Sequence, residues 1–491
     1  MPWLTALLAL PFFGLIVLLA IPGQARNLVR LWANAVLLAG LGLALPLWQA
    51  FDRSAGSYQF VDRMPWIPTL GAQFLLGVDG ISLLLVLLTS LLGPIAALAS
   101  WNAIEDRTKE FYAMLLLLQF GMLGLFLSLD LLLFFVFFEV VLVPMYFLIG
   151  IWGGERRLYA AIKFFLYTLA GSVVLLLGII ALYWQGGLQL AQPTFEIAEL
   201  LKLRMPLDVQ RWLFWAFFVG FAIKVPMVPF HTWLPDAHTE APTAGSVLLA
   251  GVLLKMGTYG FVRLSLPLFP EAAQEAAPIL AVLSIVAILY GALISLMQQD
   301  WKRLVAYSSV SHMGFCTLGL AAMNSNGIAG SVLQQVNHGI STSLLFLLVG
   351  FIYERRHTRQ IADFGGLAVV MPRFAFVFAV AVFSSAGLPL LNGFIGEFTI
   401  LQGAFIVSRT WAAFAVFGIV LGAAYLLWLY QRTMLGDLRN EANRGLADLS
   451  PREWATVLPL LALALAIGVY PKPWFAVLER PVLEIVGRFG R

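Results

Sequence analysis

The chain has 491 residues, 61% of them hydrophobic and only 11% charged, which excludes an ordinary water-soluble globule. Its net charge of +4 is small, and the basic residues gather at the ends of apolar stretches, so no patch suited to nucleic acid forms. The single cysteine, Cys316, excludes an intrachain disulfide, a cysteine-based zinc cluster and an iron–sulfur cluster held by this chain.

Apolar stretches of about 20 residues follow one another from end to end, each long enough to cross ~30 Å of hydrocarbon. They predict a single all-α, polytopic membrane domain over 1–491 with about 14 spans: 2–21, 28–50, 78–100, 111–128, 130–150, 160–184, 211–230, 242–264, 276–297, 303–322, 327–353, 372–407, 411–434 and 453–471. The first stretch lacks a basic leader and a cleavage site of small residues, so it reads as a retained helix. The 211–230 span carries Pro226 and Pro229 just after Lys224, and proline removes a backbone hydrogen bond and kinks a helix. The 372–407 stretch is too long for one crossing and contains Gly387-Leu388-Pro389 and Asn392-Gly393, so it reads as two half-helices. Interrupted helices in corresponding halves point to inverted repeats with an ion path between them.

Charge inside the spans is rare. Glu139, Lys224, Lys255 and Glu397 lie deep in apolar surroundings, where a charge costs about 2.5–3.5 kcal/mol on the insertion scale. Desolvation disfavours the charged form of lysine and glutamate alike, and an opposite charge restores it. A Glu139–Lys224 pair meeting across a helix interface is therefore a proton switch, or else an ion pair that only fixes packing. Lys255 has no carboxylate of its own and is too deep to reach water by snorkelling, which suits a relay. His312 and His338 sit on successive spans among Ser, Thr and Asn; they are proton relays or simply hydrogen-bonded histidines.

His231 and His238 flank Trp233-Leu234-Pro235-Asp236 in what reads as a short loop, with a spacing weak for a metal. Asp79 reads as a helix N-cap. Asp130, in a tight junction before the Glu139 span, is a candidate guide for protons. His357 reads as surface. With 14 spans both termini share a face. The loops opposite carry more Lys and Arg, Lys302, Arg355, Arg356 and Arg359 among them, while Arg263 counts on the terminal face. That puts the termini outside. On this reading only Lys224 and Lys255 among the basic residues cannot reach a membrane surface.

The segments FFVFFEVVLVPMYFLIGIWGG, KVPMVPFHTWLPDAHTEAPTAGSVLLAGVLLKMGTYG and DWKRLVAYSSVSHMGF resemble the antiporter-like membrane subunits of respiratory complex I, which share a fold with Mrp-type antiporters and membrane-bound hydrogenases. The resemblance covers roughly residues 70–435. It implies 14 helices, with helices 1–3 in 1–100, one five-helix repeat in 111–264, an inverted one in 276–434, and a last helix and tail in 453–491. It also implies broken seventh and twelfth helices. It makes Glu139 the carboxylate of the fifth helix, Lys224 its partner on the seventh, Lys255 the central lysine of the eighth, and His312 and His338 part of a hydrophilic axis ending at Glu397. Most members carry lysine at that terminal site; the glutamate resembles the M-type branch.

The implied function is proton translocation in NADH:quinone oxidoreductase, in a bacterial inner membrane, between L-like and N-like neighbouring chains. NADH, FMN, iron–sulfur clusters and quinone would then belong to partner subunits, with no cofactor or metal on this chain. A sodium/proton antiporter subunit and a subunit of a ferredoxin- or hydrogenase-linked complex are the alternatives.

Overall fold

A computed structural model describes residues 2–190 and 192–490. Among them, twelve helices are long and apolar enough to cross a bilayer, from Trp3–Ala20 to Pro451–Val469. Helices dominate because hydrocarbon offers backbone amides no partner, so each segment must satisfy its own hydrogen bonds. Polar caps close several helix starts. Asp79 accepts from Ile81 N and Ser82 N, Asp300 from Arg303 N, and Asn324 from Gly327 N. Asp79 completes a capping box with Ser82, as its sequence context predicts.

The two predicted breaks are present. Helix Leu207–Lys224 stops at Lys224 itself, before Pro226, and the chain turns into a second short helix, Trp233–Glu240. The Trp233 indole N–H donates to Ile223 O at 2.9 Å, satisfying a carbonyl that the break releases. His231 and His238 are thus not in one loop, since His238 lies on this short helix. The second break separates Pro372–Ser385 from Asn392–Val407, with Gly387 and Leu390 at positive φ between them. Asn392 bridges the break, accepting from Ser384 Oγ at 2.5 Å and donating to Asn337 O at 3.2 Å.

Three features depart from the sequence reading. The fold is not wholly helical, because Gln59–Ile67 and Ala72–Val78 form an antiparallel hairpin closed by a 3-10 turn at Pro68–Leu70 with Gly71 at φ +67°. Bulges near both ends of its first strand break the regular alternation that would have marked it. The C-terminal tail is an amphipathic helix, Lys472–Val486, burying Val477, Leu478, Val482 and Ile485. Finally, the side chains of Arg263 and Lys302 are buried inside the protein rather than exposed.

Hairpin and tail share one face with the N-terminus. Thr5 donates its amide and hydroxyl to Asp62 of the hairpin, and Gly80, at the start of helix Gly80–Ala99, lies against Val477 O of the tail helix. Helices Thr243–Leu268, Trp301–Ala321 and Ser325–Arg356 are buried along nearly their whole length. Trp3–Ala20, Arg157–Gln189 and Arg409–Met434 turn most of their surface outward. The candidate site residues Lys255, His312 and His338 all lie on the buried three.

Candidate functional site

Helix Thr243–Leu268 is not regular. Two π segments, Leu249–Leu253 and Phe261–Ser265, flank the α turn pair Leu254–Gly260 that carries Lys255. A π turn loosens the carbonyl ladder, and such turns cluster at functional sites. Here the Lys255 ammonium donates back to Ala250 O inside the first π segment. Its Nζ also lies 2.6 Å from His338 Nδ1, on helix Ser325–Arg356. Lys255 is 0% exposed.

From His338 the polar line continues. The His338 and His312 ring centres are 5.8 Å apart. His312 Nδ1 is 2.9 Å from Glu397 Oε1, a charge-assisted geometry when the carboxylate is ionised. Four predicted residues on four helices thus form one succession, Lys255–His338–His312–Glu397, buried throughout. Glu397 sits in the first turns of Asn392–Val407, just past the second break, so the interruption delivers the carboxylate to the line.

Sequence reading missed the residues that hold this line. Gln334 Nε2 donates to Glu397 Oε1 at 3.0 Å, Asn337 Nδ2 to Asn392 O at 2.7 Å, and Tyr425 OH lies 3.4 Å from His312 Nε2. A signal existed. Gln334, Asn337, His338 and Ser341 fall at i, i+3, i+4 and i+7, one polar stripe along a buried helix.

The other predicted pair does not close. Glu139 Oε1 and Lys224 Nζ are each buried without a hydrogen-bond partner among the described residues, so the two are not joined directly. The Phe138 ring lies 4.7 Å from the ammonium as a cation–π contact. Glu139 is also only partly buried, at the edge of the chain, rather than enclosed. Asp130, fully buried, accepts from Leu132 N, Leu133 N and the Gln73 amide of the hairpin. Those contacts give it the work of a helix cap that also fastens the hairpin.

Two further groups that read as loop or surface residues in the sequence are buried. His238 stacks on Phe346 at 4.6 Å, with neither ring nitrogen bonded among the described residues. Lys302 donates to Ala241 O. Lys302 lines a cavity of about 720 Å³ with Glu240, Thr243, Arg355, Arg359 and Arg452, on the face opposite the termini. His357 is exposed, as its sequence context predicts. No group of three or more His, Cys, Asp or Glu side chains is placed to hold a metal ion among the described residues.

Residues 128–422 match the family described as NADH:quinone oxidoreductase/Mrp antiporter, TM, and residues 60–129 match NADH-ubiquinone oxidoreductase chain 4, amino terminus. The chain is 46% identical to NADH-quinone oxidoreductase subunit M of Rhodobacter capsulatus, over 92% of this chain and 88% of that protein. It is 44% identical to NADH-ubiquinone oxidoreductase chain 4 of Arabidopsis thaliana, over 99% and 98%. Among solved structures, a chain of respiratory complex I from Thermus thermophilus superposes with a TM-score of 0.90 at 32% identity, covering 99% of this chain and 100% of that one. A chain of the Mrp complex from Dietzia shares the fold at a TM-score of 0.84 and 24% identity, covering 98% of this chain and 52% of that one. The chain belongs to the NADH:quinone oxidoreductase/Mrp antiporter membrane family, in its subunit M/chain 4 branch.

Proposed function

We propose that this chain is the proton-translocating M-type membrane subunit of NADH:quinone oxidoreductase. The observation that carries the reading is the buried succession from Lys255 through His338 and His312 to Glu397. Each member can hold or release a proton, and each is packed where a fixed charge would be costly. Protons enter from the basic face, whose cavity reaches Lys302 and the start of the Lys255 helix at Thr243, and leave through Glu397. Glu139 and Lys224 form the switch beside this path. Their separation fits an open state, since a pair that must change partners cannot be locked in one ion pair. Redox cofactors belong to partner subunits in this reading, and L-like and N-like chains flank this one. The partly exposed Glu139 then faces such a neighbour.

The segments 111–264 and 276–434 are two inverted repeats, each containing one of the interrupted helices, and those interruptions complete a set of 14 crossings. Both termini face the outside, because the basic loops lie on the other face. A reporter fused at the C-terminus is therefore expected to be active only outside the cytoplasm. Activity in the cytoplasm alone would reverse the orientation.

The direct test is the switch pair. Glu139→Gln and Lys224→Ala are expected to lower proton pumping by roughly a hundredfold, the low end of what a lost proton-transfer group costs. Glu139→Asp is milder because it keeps the carboxylate. Pumping is measured in membrane vesicles normalised to assembled complex. Normal pumping in Glu139→Gln would reduce the pair to a packing role, and so would loss of the complex in both variants.

A further inference from the structure

A second buried ion pair lies on the Lys255 helix. Arg263 sits in the second π segment, eight residues beyond Lys255 and about 12 Å along the axis at ~1.5 Å per residue. It lies toward the face that carries the termini. Its Nη2 donates to Asp79 Oδ1 at 2.6 Å, its Nη1 to Tyr58 OH at 3.1 Å and its Nε to Tyr259 OH at 3.2 Å. Both rings also flank the guanidinium at 5.3 Å. Tyr259 OH in turn donates to Phe126 O at 3.3 Å. Asp79 is occupied as well, since the same Oδ1 accepts from Ile81 N and Ser82 N at 3.0 Å each. Arg263 and Asp79 are 6% and 7% exposed, while Glu484 on the tail helix, just outside them, is exposed.

This cluster is built unlike the proton line. Lysine, histidine and glutamate exchange protons, whereas an arginine stays protonated and has no acceptor to offer. A buried guanidinium with all three of its nitrogens engaged therefore ends a proton path rather than continuing it. The two tyrosines fill the space on both sides of it. Breaking such a pair by removing one partner is costly, so a structural gain alone is a weak reason to bury it.

We propose that the Arg263–Asp79 pair, clasped by Tyr58 and Tyr259, is a seal that closes the Lys255 site to the face carrying the termini. A proton on Lys255 is then forced sideways to His338 instead of leaking outward along its own helix. The inference rests on the reading of Lys255 as a proton carrier. A fixed, desolvated cation in a pore blocks protons and other cations by the same physics in channels.

The test uses the assembled complex in sealed membrane vesicles. R263Q and D79N/R263Q are expected to keep NADH-driven quinone reduction close to the unmodified rate while the steady pH gradient falls. An imposed gradient should decay several-fold faster than in the unmodified complex. The double variant removes both charges together, so it avoids stranding an unpaired Asp79. R263K, which keeps a cation at the site, is expected to restore most of the gradient. Adding Lys255→Ala to D79N/R263Q is expected to abolish the leak, because the leak runs through Lys255. Four results overturn the seal: an unchanged gradient in D79N/R263Q, a leak that persists without Lys255, pumping lost without any leak, or failure of all three Arg263 variants to assemble. Lys255→Ala alone separates the two layers of the argument. If that variant pumps normally, the carrier reading fails, whatever Arg263 does.

Discussion

Lys255→Ala is expected to stop proton pumping by the assembled complex and to slow quinone reduction with it. The lysine is fully buried between two π segments, and among the described residues its ammonium is hydrogen-bonded to Ala250 O and His338. With the ammonium gone, no group on that helix can hand a proton to His338. If each turnover needs the protonation change at Lys255, electron transfer at distant cofactors must wait for it, although nothing near Lys255 resembles a quinone or nucleotide site. Coupling of this kind is a free energy shared between sites and requires no contact between them. A fall of roughly a hundredfold in pumping is the expected scale for losing one proton-transfer group.

Lys255→Arg is expected to fail too, since arginine keeps its proton and its larger head strains a closed site. Measuring both activities in one membrane preparation decides between reading and rival. A cation/proton antiporter would lose cation-dependent proton exchange in these variants and keep NADH oxidation. Quinone reduction unimpaired in Lys255→Ala, at normal complex content, would sink the coupled-pump reading.

The residues that were legible in advance share one property: each is a charge or a histidine where the hydropathy pattern allows none. Lys224, Lys255, Glu139 and Glu397 stood out because burial in hydrocarbon is costly, and cost is readable from composition alone. The two helix breaks were legible for the same kind of reason, since proline and glycine act on their own backbone wherever they sit. What escaped depends on contacts between distant segments. Arg263 and Lys302 lie near helix ends and read as surface residues until Asp79 and Ala241 O are seen to receive them.

The hairpin was lost because its bulges disrupt the two-residue period, and because a segment between two long apolar helices is read as a connection by default. The Glu139–Lys224 contact was over-read. Mid-span depth says that two residues are level, not that they touch, and Lys224 Nζ has no hydrogen-bond partner among the described residues. The π segments around Lys255 left no mark in the residue pattern, because every residue from Ala244 to Leu268 is buried and any helical period fits.

Glu397 offers the second large effect. Its Oε1 takes hydrogen bonds from both His312 Nδ1 and Gln334 Nε2, at 2.9 and 3.0 Å. Glu397→Gln preserves volume and leaves one carbonyl oxygen to accept from the same donors, so packing and assembly should survive. It removes the only group at the end of the line that can take a proton from His312 and release it. Pumping in assembled Glu397→Gln complex is therefore expected to fall by roughly a hundredfold. Glu397→Asp keeps the acid but withdraws it by about one carbon–carbon bond, and it should retain part of the activity. His312→Ala supplies the control for direction of the argument. If Glu397 acts only by orienting His312, the two variants would differ little from each other and Glu397→Asp would be as damaged as Glu397→Gln. If Glu397 carries the proton itself, Glu397→Asp must pump faster than Glu397→Gln at equal complex content. Equal, near-normal pumping in Gln and Asp variants would remove Glu397 from the path and leave the line ending at His312.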